Sequence, residues 1–213
     1  MFCHDDPLAV IGSQESGGQA VYVLSLIREL DKQGWETDAY VRLDSPHKKQ
    51  IATIGKKSRL IRLKCGPAKY IPRKIMFDFL PAFYSAFLNF INKSNTYNIF
   101  HGHYWDGGWL AMKAHKDFFC PLVENFHSIG KIGLQAKQLY SADPSKKDIF
   151  DKRFLIEREI ANESDFIITL SESENECLQK EALQRILWVQ IQLTAIEQNR
   201  DSIILEIFEP SGV

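Results

Sequence analysis

The stretch His4–Arg42, HDDPLAVIGSQESGGQAVYVLSLIRELDKQGWETDAYVR, decides the fold. It opens as a polar loop and reaches a glycine pair at Gly17-Gly18. Apolar residues then fall at Val21, Leu24, Leu26, Ile27 and Leu30, with Glu29, Lys32 and Gln33 outside that stripe. This spacing predicts a helix over 18–33, ended by Gly34, with a short strand over Thr37–Arg42. Loop, helix and strand in that order begin a βαβ unit.

Outward from this stretch the alternation continues to the end of the chain. Strands are predicted at Leu60–Lys64, Tyr97–Phe100, Pro121–Asn125, Phe166–Leu170 and Ile203–Phe208. Between them stand helices at Lys74–Asn92 (offset at Pro81), Gly107–His115, Asp148–Glu163 and Ser173–Gln184. The polar segment Asp44–Lys57 reads as a loop or ragged hairpin. The fold class is therefore α/β, a Rossmann-like doubly wound parallel sheet with helices on both faces. Ligands of such sheets sit beyond the carboxyl ends of the strands. The aromatic run Phe77, Phe79, Phe83, Tyr84, Phe87 and Phe90 reads as core, because Asp78 and the neighbouring asparagines give it no basic rim for a membrane surface.

Bulk properties narrow the function. The 213 residues carry 26 basic and 27 acidic side chains, a net charge of −1. No global field draws the protein to nucleic acid or to an anionic membrane. The four cysteines, Cys3, Cys65, Cys120 and Cys177, show neither CxxC spacing nor a histidine at metal spacing. They read as reduced thiols. The start MFCHDDPL is too polar for a signal peptide, and no run approaches the roughly 20 apolar residues of a membrane span. A cytoplasmic location is expected.

Three strand-to-loop junctions concentrate chemistry. At the first, His4-Asp5-Asp6-Pro7 leads to Ser16-Gly17-Gly18-Gln19 at a helix start, where uncovered N–H groups and the helix dipole favour an anion. A plain Ser-Gly helix entry explains the same residues, and the dinucleotide spacing GxGxxG is absent. The second junction is His101-Gly102-His103-Tyr104-Trp105-Asp106-Gly107-Gly108-Trp109. Its phenol and indoles suit the C–H faces of a sugar ring. His-x-His also invites a metal, but one carboxylate and no third ligand at suitable spacing argue against it. The third is Glu124-Asn125-Phe126-His127-Ser128-Ile129-Gly130-Lys131. His127 alone would read as structural; three such junctions on one sheet edge read as a site. Arg73-Lys74 and Arg153 could close it, while the charged stretch Arg153, Glu157, Arg158 and Glu159 also fits a solvated helix face with i,i+4 pairs, which explains Arg158 well.

Taken together, HDDPLAVIGSQESGGQAVYVLSLIRELDKQGWETDAYVR, GPAKYIPRK, HGHYWDGGW, FHSIGK and RFLIEREIANESDFIITLSESE resemble glycosyltransferase family 4. These are two-domain GT-B enzymes that include sucrose synthase and sucrose-phosphate synthase. The segments stand in the family's order over about residues 4–180. The resemblance implies an N-terminal, acceptor-side domain. It implies that Gly17, Gly18 and Gln19 form a loop touching the acceptor and approaching the donor phosphates, and that His127 points at the donor sugar. It matches Lys74, Tyr104, Ser128 and Arg153 to positions that bind a phosphorylated acceptor in some relatives. It implies sugar transfer with retained configuration from a UDP- or GDP-linked sugar, which is a co-substrate, so no resident cofactor or metal is expected.

The sequence also departs from the family. Only Met1-Phe2-Cys3 precedes His4, so a truncated first strand is expected. Residues 1–183 read as the domain and 184–213 as a tail: Gln184–Asp201 is off-pattern, and the ending EPSGV resembles the interdomain link. The expected reading is a fragment of a glycosyltransferase, inactive alone, whose partners are a nucleotide sugar, a sugar or sugar-phosphate acceptor and a separate C-terminal domain. A non-catalytic sugar-phosphate or partner-binding domain derived from such an enzyme is the alternative. A dinucleotide-dependent oxidoreductase fits the rhythm but fails at the glycine spacing.

Overall fold

The computed structural model describes residues 1–10, 17–91, 97–130, 147–181 and 187–190. Its first helix, α1 (Gly18–Lys32), is followed by strands β1 (Asp38–Arg42), β2 (Ile51–Thr53) and β3 (Arg59–Leu63). A 3-10 turn over Arg73–Phe79 leads into α2 (Leu80–Phe90). Then come β4 (Phe100–His103), α3 (Tyr104–Phe118), β5 (Leu122–Asn125), α4 (Lys147–Glu163), β6 (Phe166–Thr169), α5 (Glu172–Glu181) and β7 (Leu187–Gln190).

The strands pair in two groups, β2-β3-β1 and β4-β5-β6-β7, parallel throughout except for β2 against β3. Residues 1–3 join them. The Phe2 N–H donates to His101 O at 2.8 Å, and His103 N–H to Phe2 O at 2.9 Å. On the other side Cys3 N–H donates to Tyr40 O at 3.0 Å, and Tyr40 N–H to Met1 O at 2.8 Å. Met1–Cys3 thus holds the central position, with β1 on one side and β4 on the other. The chain reverses its direction of winding there, and a crevice opens at such a switch point.

Both faces are covered. Against α1 lie Cys3, Ala39, Val41 and Leu60, with Val23 and Ile27 of the helix. Against α2 and α3 lie Phe2, Tyr40, Ile61 and Phe100, with Phe83, Phe87 and Trp105. The alternation of Ala39 and Val41 with Tyr40 is the two-residue period of a strand buried on both sides. The aromatic run is core: Phe87 is fully buried, edge-on to Phe2 at 4.8 Å. Full burial of one such ring contributes about 1.5–3 kcal/mol.

Several expected elements move. Val21 is exposed and the buried stripe of α1 is Ala20, Val23 and Ile27. The segment 44–57 contains the short strand β2, which pairs with β3. The long helix begins only at Leu80, with Pro81 in its first turn, where a missing N–H costs nothing. The fourth strand is Phe100–His103 instead of Tyr97–Phe100, and the following helix starts at Tyr104 instead of Gly107. His101 and His103 are therefore strand residues. β7 lies within the segment that departs from the family pattern and pairs with β6; Gln184, the strand expected at Ile203–Phe208 and the ending EPSGV lie outside the described residues. No disulfide joins the four cysteines. Among the described residues, no helix is long and apolar enough to cross a membrane.

Candidate functional site

The site is built from the carboxyl ends of Met1–Cys3, β4 and β5 and from the first turn of α1. Gly17, the N-cap of α1, supplies no side-chain cap, and the first turn holds no acid. Among the described residues no side chain caps its amide groups, which carry the positive end of the helix dipole. Asp5 stands next to it: a Cβ on Gly17 would come within 3.3 Å of Asp5 Oδ2, whereas one on Gly18 would meet nothing within 4 Å. The Gln19 amide nitrogen is buried with no hydrogen-bond partner among the described residues.

Where β4 ends, Tyr104 adopts a left-handed backbone with φ 69°; where β5 ends, His127 does the same with φ 58°. Bulky side chains rarely hold this conformation, which costs about 1–3 kcal/mol and gathers at functional sites. The two turns redirect the chain at the ends of adjacent parallel strands. Tyr104 meets the His4 ring at 5.0 Å, and His4 Nδ1 lies 2.5 Å from Asp106 Oδ2.

Arg153, from α4, ties the junctions together. Its Nη1 donates to the Tyr104 hydroxyl at 2.9 Å, and the guanidinium sits 4.5 Å from the Tyr104 ring centroid. Its Nη2 donates to the Ser128 carbonyl, and to Ser128 Oγ at 3.1 Å. Its Nε donates to Glu157 Oε1 at 2.5 Å. Glu157 also accepts the Gly130 N–H, at 2.9 Å to Oε2. Burial pushes the Glu157 carboxyl up, while Arg153 and the Gly130 N–H pull it down. A buried guanidinium with its fork at an exposed serine is suited to a planar or tetrahedral oxyanion.

On the α1 side lies a histidine cluster. His103 Nδ1 is 2.9 Å from His127 Nε2, and His101 stacks on His103 at 4.1 Å. Tyr22 presents its ring edgewise to His127 at 5.1 Å. Burial lowers His101 to about 3, His127 to about 4 and His103 well below the ordinary histidine value. All three are neutral at physiological pH. The two facing nitrogens address each other instead of converging on an ion. Among the described residues no cluster of His, Cys, Asp and Glu has metal-binding geometry.

Of the expected site residues, Tyr104, Ser128 and Arg153 are in direct contact, His127 meets Tyr22 of α1 and His103 of β4, and Gly17, Gly18 and Gln19 stand at the start of α1, with Gly17 next to Asp5. Lys74 lies in the 3-10 turn before α2, and its side chain lies outside the described residues. The indoles are a correction. Trp105 is 2% exposed and stacks on Phe77 at 4.1 Å, and Trp109 packs edgewise near Tyr84. Trp105 belongs to the core and Trp109, partly buried, packs against it, because the helix starts three residues earlier than expected and turns them inward. Gly102, Gly107 and Gly108 serve close packing: a Cβ on Gly107 would meet Phe2 O at 2.5 Å, and one on Gly102 would meet Gly108 Cα at 2.5 Å.

Sequence reasoning missed Glu157 and Glu124. Glu157 shares the face of Arg153, Ile160 and Ala161, at helical spacings of four, three and four, which marks it as inward. Glu124 carries no such signal. It is fully buried between Gly102 and Gly108, and among the described residues neither carboxyl oxygen has a hydrogen-bond partner. Burial, reinforced by Asp106 and Glu157, raises its carboxyl well above the usual range and keeps it protonated.

The profile of Glycosyltransferase Family 4 matches residues 16–186. The chain belongs to glycosyltransferase family 4. A D-inositol 3-phosphate glycosyltransferase of Corynebacterium glutamicum is 28% identical over 172 residues, covering 80% of this chain and 40% of the relative. A mannosylfructose-phosphate synthase of Agrobacterium fabrum is 30% identical over 156 residues, covering 72% of this chain and 33% of that protein. The solved structure of sucrose-phosphate synthase from Thermosynechococcus elongatus superposes with a TM-score of 0.79 at 27% identity, over 89% of this chain and 47% of that one. The fold is thus that of one Rossmann-like half of a GT-B glycosyltransferase. The chain spans less than half the length of these relatives.

Proposed function

We propose that this family 4 chain supplies the acceptor-side half of a retaining glycosyltransferase, which moves a sugar from a nucleotide-sugar donor to a sugar-phosphate or cyclitol-phosphate acceptor. The observation that carries the reading is Arg153, buried yet forked onto Tyr104 Oη and Ser128 Oγ at the crevice mouth. A phosphate arriving there replaces neutral acceptors with an anionic one, so the bonds from the guanidinium gain the attraction of opposite charges. The three relatives described above each carry a phosphate ester in their names. Lys74 is assigned to the same phosphate.

The donor lies on the other side of the crevice. Its diphosphate faces the N–H groups at Gly17, Gly18 and Gln19, and its sugar faces His127. Transfer proceeds by attack of the acceptor hydroxyl on the face that the leaving nucleotide diphosphate vacates, and that diphosphate takes the acceptor proton. The protein contributes positioning and charge stabilisation. The UDP- or GDP-linked sugar is a co-substrate. A second Rossmann-like domain completes the cleft and excludes water.

Nucleotide release from UDP- and GDP-sugars, with fructose 6-phosphate or an inositol phosphate present, tests this division of labour. The chain alone is expected to bind acceptor without releasing nucleotide above the buffer rate. Robust turnover would show that no second half is needed.

A further inference from the structure

His103 has no role in the reaction proposed above, yet it sits fully buried at the end of β4 with its ring directed at His127. Both imidazoles are neutral, so each carries one N–H and one lone pair. A 2.9 Å contact between His103 Nδ1 and His127 Nε2 needs one N–H between them. Two arrangements supply it.

If His127 Nε2–H donates, His103 must hold its own proton on Nε2. That nitrogen is buried and has no hydrogen-bond partner among the described residues. An N–H orphaned in this way costs about 1–3 kcal/mol, and such orphans are rare. If His103 Nδ1–H donates, His103 Nε2 is left with only an unused lone pair. His127 must then hold its proton on Nδ1, which makes no hydrogen bond among the described residues. His101 stacked on one face of His103, and Tyr22 edge-on to both rings at 6.1 and 5.1 Å, keep the imidazoles in this relation.

We infer that His103 is a positioning residue that fixes the tautomer of His127, so that His127 presents Nδ1–H as a hydrogen-bond donor to an oxygen of its ligand. That the oxygen belongs to the donor sugar rests on the glycosyltransferase reading; the tautomer does not. A neutral imidazole offering N–H at the ligand edge cannot accept a proton there. His127 is thereby excluded as the general base, and the acceptor proton goes to the leaving diphosphate.

Nitrogen-15 NMR of the full 213-residue chain reads the tautomer directly, with His127 assigned by its loss in His127→Gln. The expected wild-type result is a protonated Nδ1 and an unprotonated Nε2 at neutral pH. In His103→Phe the donor is gone, and the His127 proton should move to Nε2. In His103→Asn, whose amide N–H falls near the place of Nδ1, the wild-type pattern should return. A wild-type His127 protonated at Nε2 would overturn the inference, as would a His127 tautomer unchanged in a folded His103→Phe. If His103→Phe does not fold, the wild-type and His103→Asn spectra decide. Failure of the chain to bind any sugar phosphate would sink the glycosyltransferase reading while leaving the tautomer measurement standing.

Discussion

Replacing Arg153 by methionine keeps most of the side-chain volume and removes the guanidinium. Glu157, 3% exposed, would then be left, among the described residues, with the Gly130 N–H as its hydrogen-bond donor. Breaking a buried pair by removing one partner costs about 3–5 kcal/mol. For a chain of 213 residues, each kcal/mol moves Tm by roughly 2–4 °C, so a fall of about 6–20 °C is expected at pH 8. The pH dependence fixes the cause. Burial already raises the Glu157 carboxyl, and losing Arg153 raises it further. A folded-state pKa above the unfolded one contributes stability that is present below the unfolded value, near 4.3, and is lost as pH rises, by about 1.4 kcal/mol per pH unit. The deficit of Arg153→Met should therefore be small at pH 5 and grow toward pH 8. Adding Glu157→Gln should recover most of it. Thermal unfolding followed by circular dichroism at pH 5, 6.5 and 8 measures all three proteins. A deficit that is independent of pH and unrelieved by Glu157→Gln would refute the coupling.

Other substitutions separate packing from ligand approach. Gly102→Ala puts a Cβ 2.2 Å from Glu124 Oε2 and 2.5 Å from Gly108 Cα, and backbone cannot yield as a side-chain tip does; a loss of about 1–3 kcal/mol or more in urea unfolding is expected. Gly18→Ala meets nothing within 4 Å, so stability should hold or rise by about 0.4–1 kcal/mol, while nucleotide-sugar binding by the assembled cleft weakens; a large stability loss would show that the glycine is structural. Glu124→Gln removes a buried carboxyl held neutral in the fold. Its raised pKa means that wild type loses stability above about pH 4.3, so the variant's Tm relative to wild type should climb between pH 4.5 and 8.5, and a constant difference would contradict the burial argument.

The fold was legible because its signals are local. The helical spacing through Ile27 and Leu30, the stop at Gly34 and the apolar stretches each report one element. The boundaries at the second junction were not. Gly107-Gly108 looked like a helix entry, but the glycines are there because α3 lies against Phe2 and Glu124, a contact between residues far apart in sequence. That shift of three residues sends Trp105 into the core and places His101 and His103 inside the sheet. Tyr104, His127 and Arg153 were recognisable as a set through the family resemblance. The bonds from Arg153 to Glu157 and from His103 to His127 depend on which way each helix or strand faces, and only tertiary placement decides that. Glu124 breaks the expectation that buried carboxyls are paired, and no residue pattern announces it.

The measurement that bears most directly on the acceptor-side claim is a thermal-shift titration of the chain with fructose 6-phosphate and inositol phosphates against fructose and inositol. A ligand at 100 times its Kd adds about 2.7 kcal/mol to the folded state, a rise of roughly 5–11 °C. The account predicts that rise for a phosphorylated acceptor, little for its unphosphorylated counterpart, and its loss in the Arg153→Met, Glu157→Gln double variant. Equal shifts with and without the phosphate, or none with any of them, would contradict it.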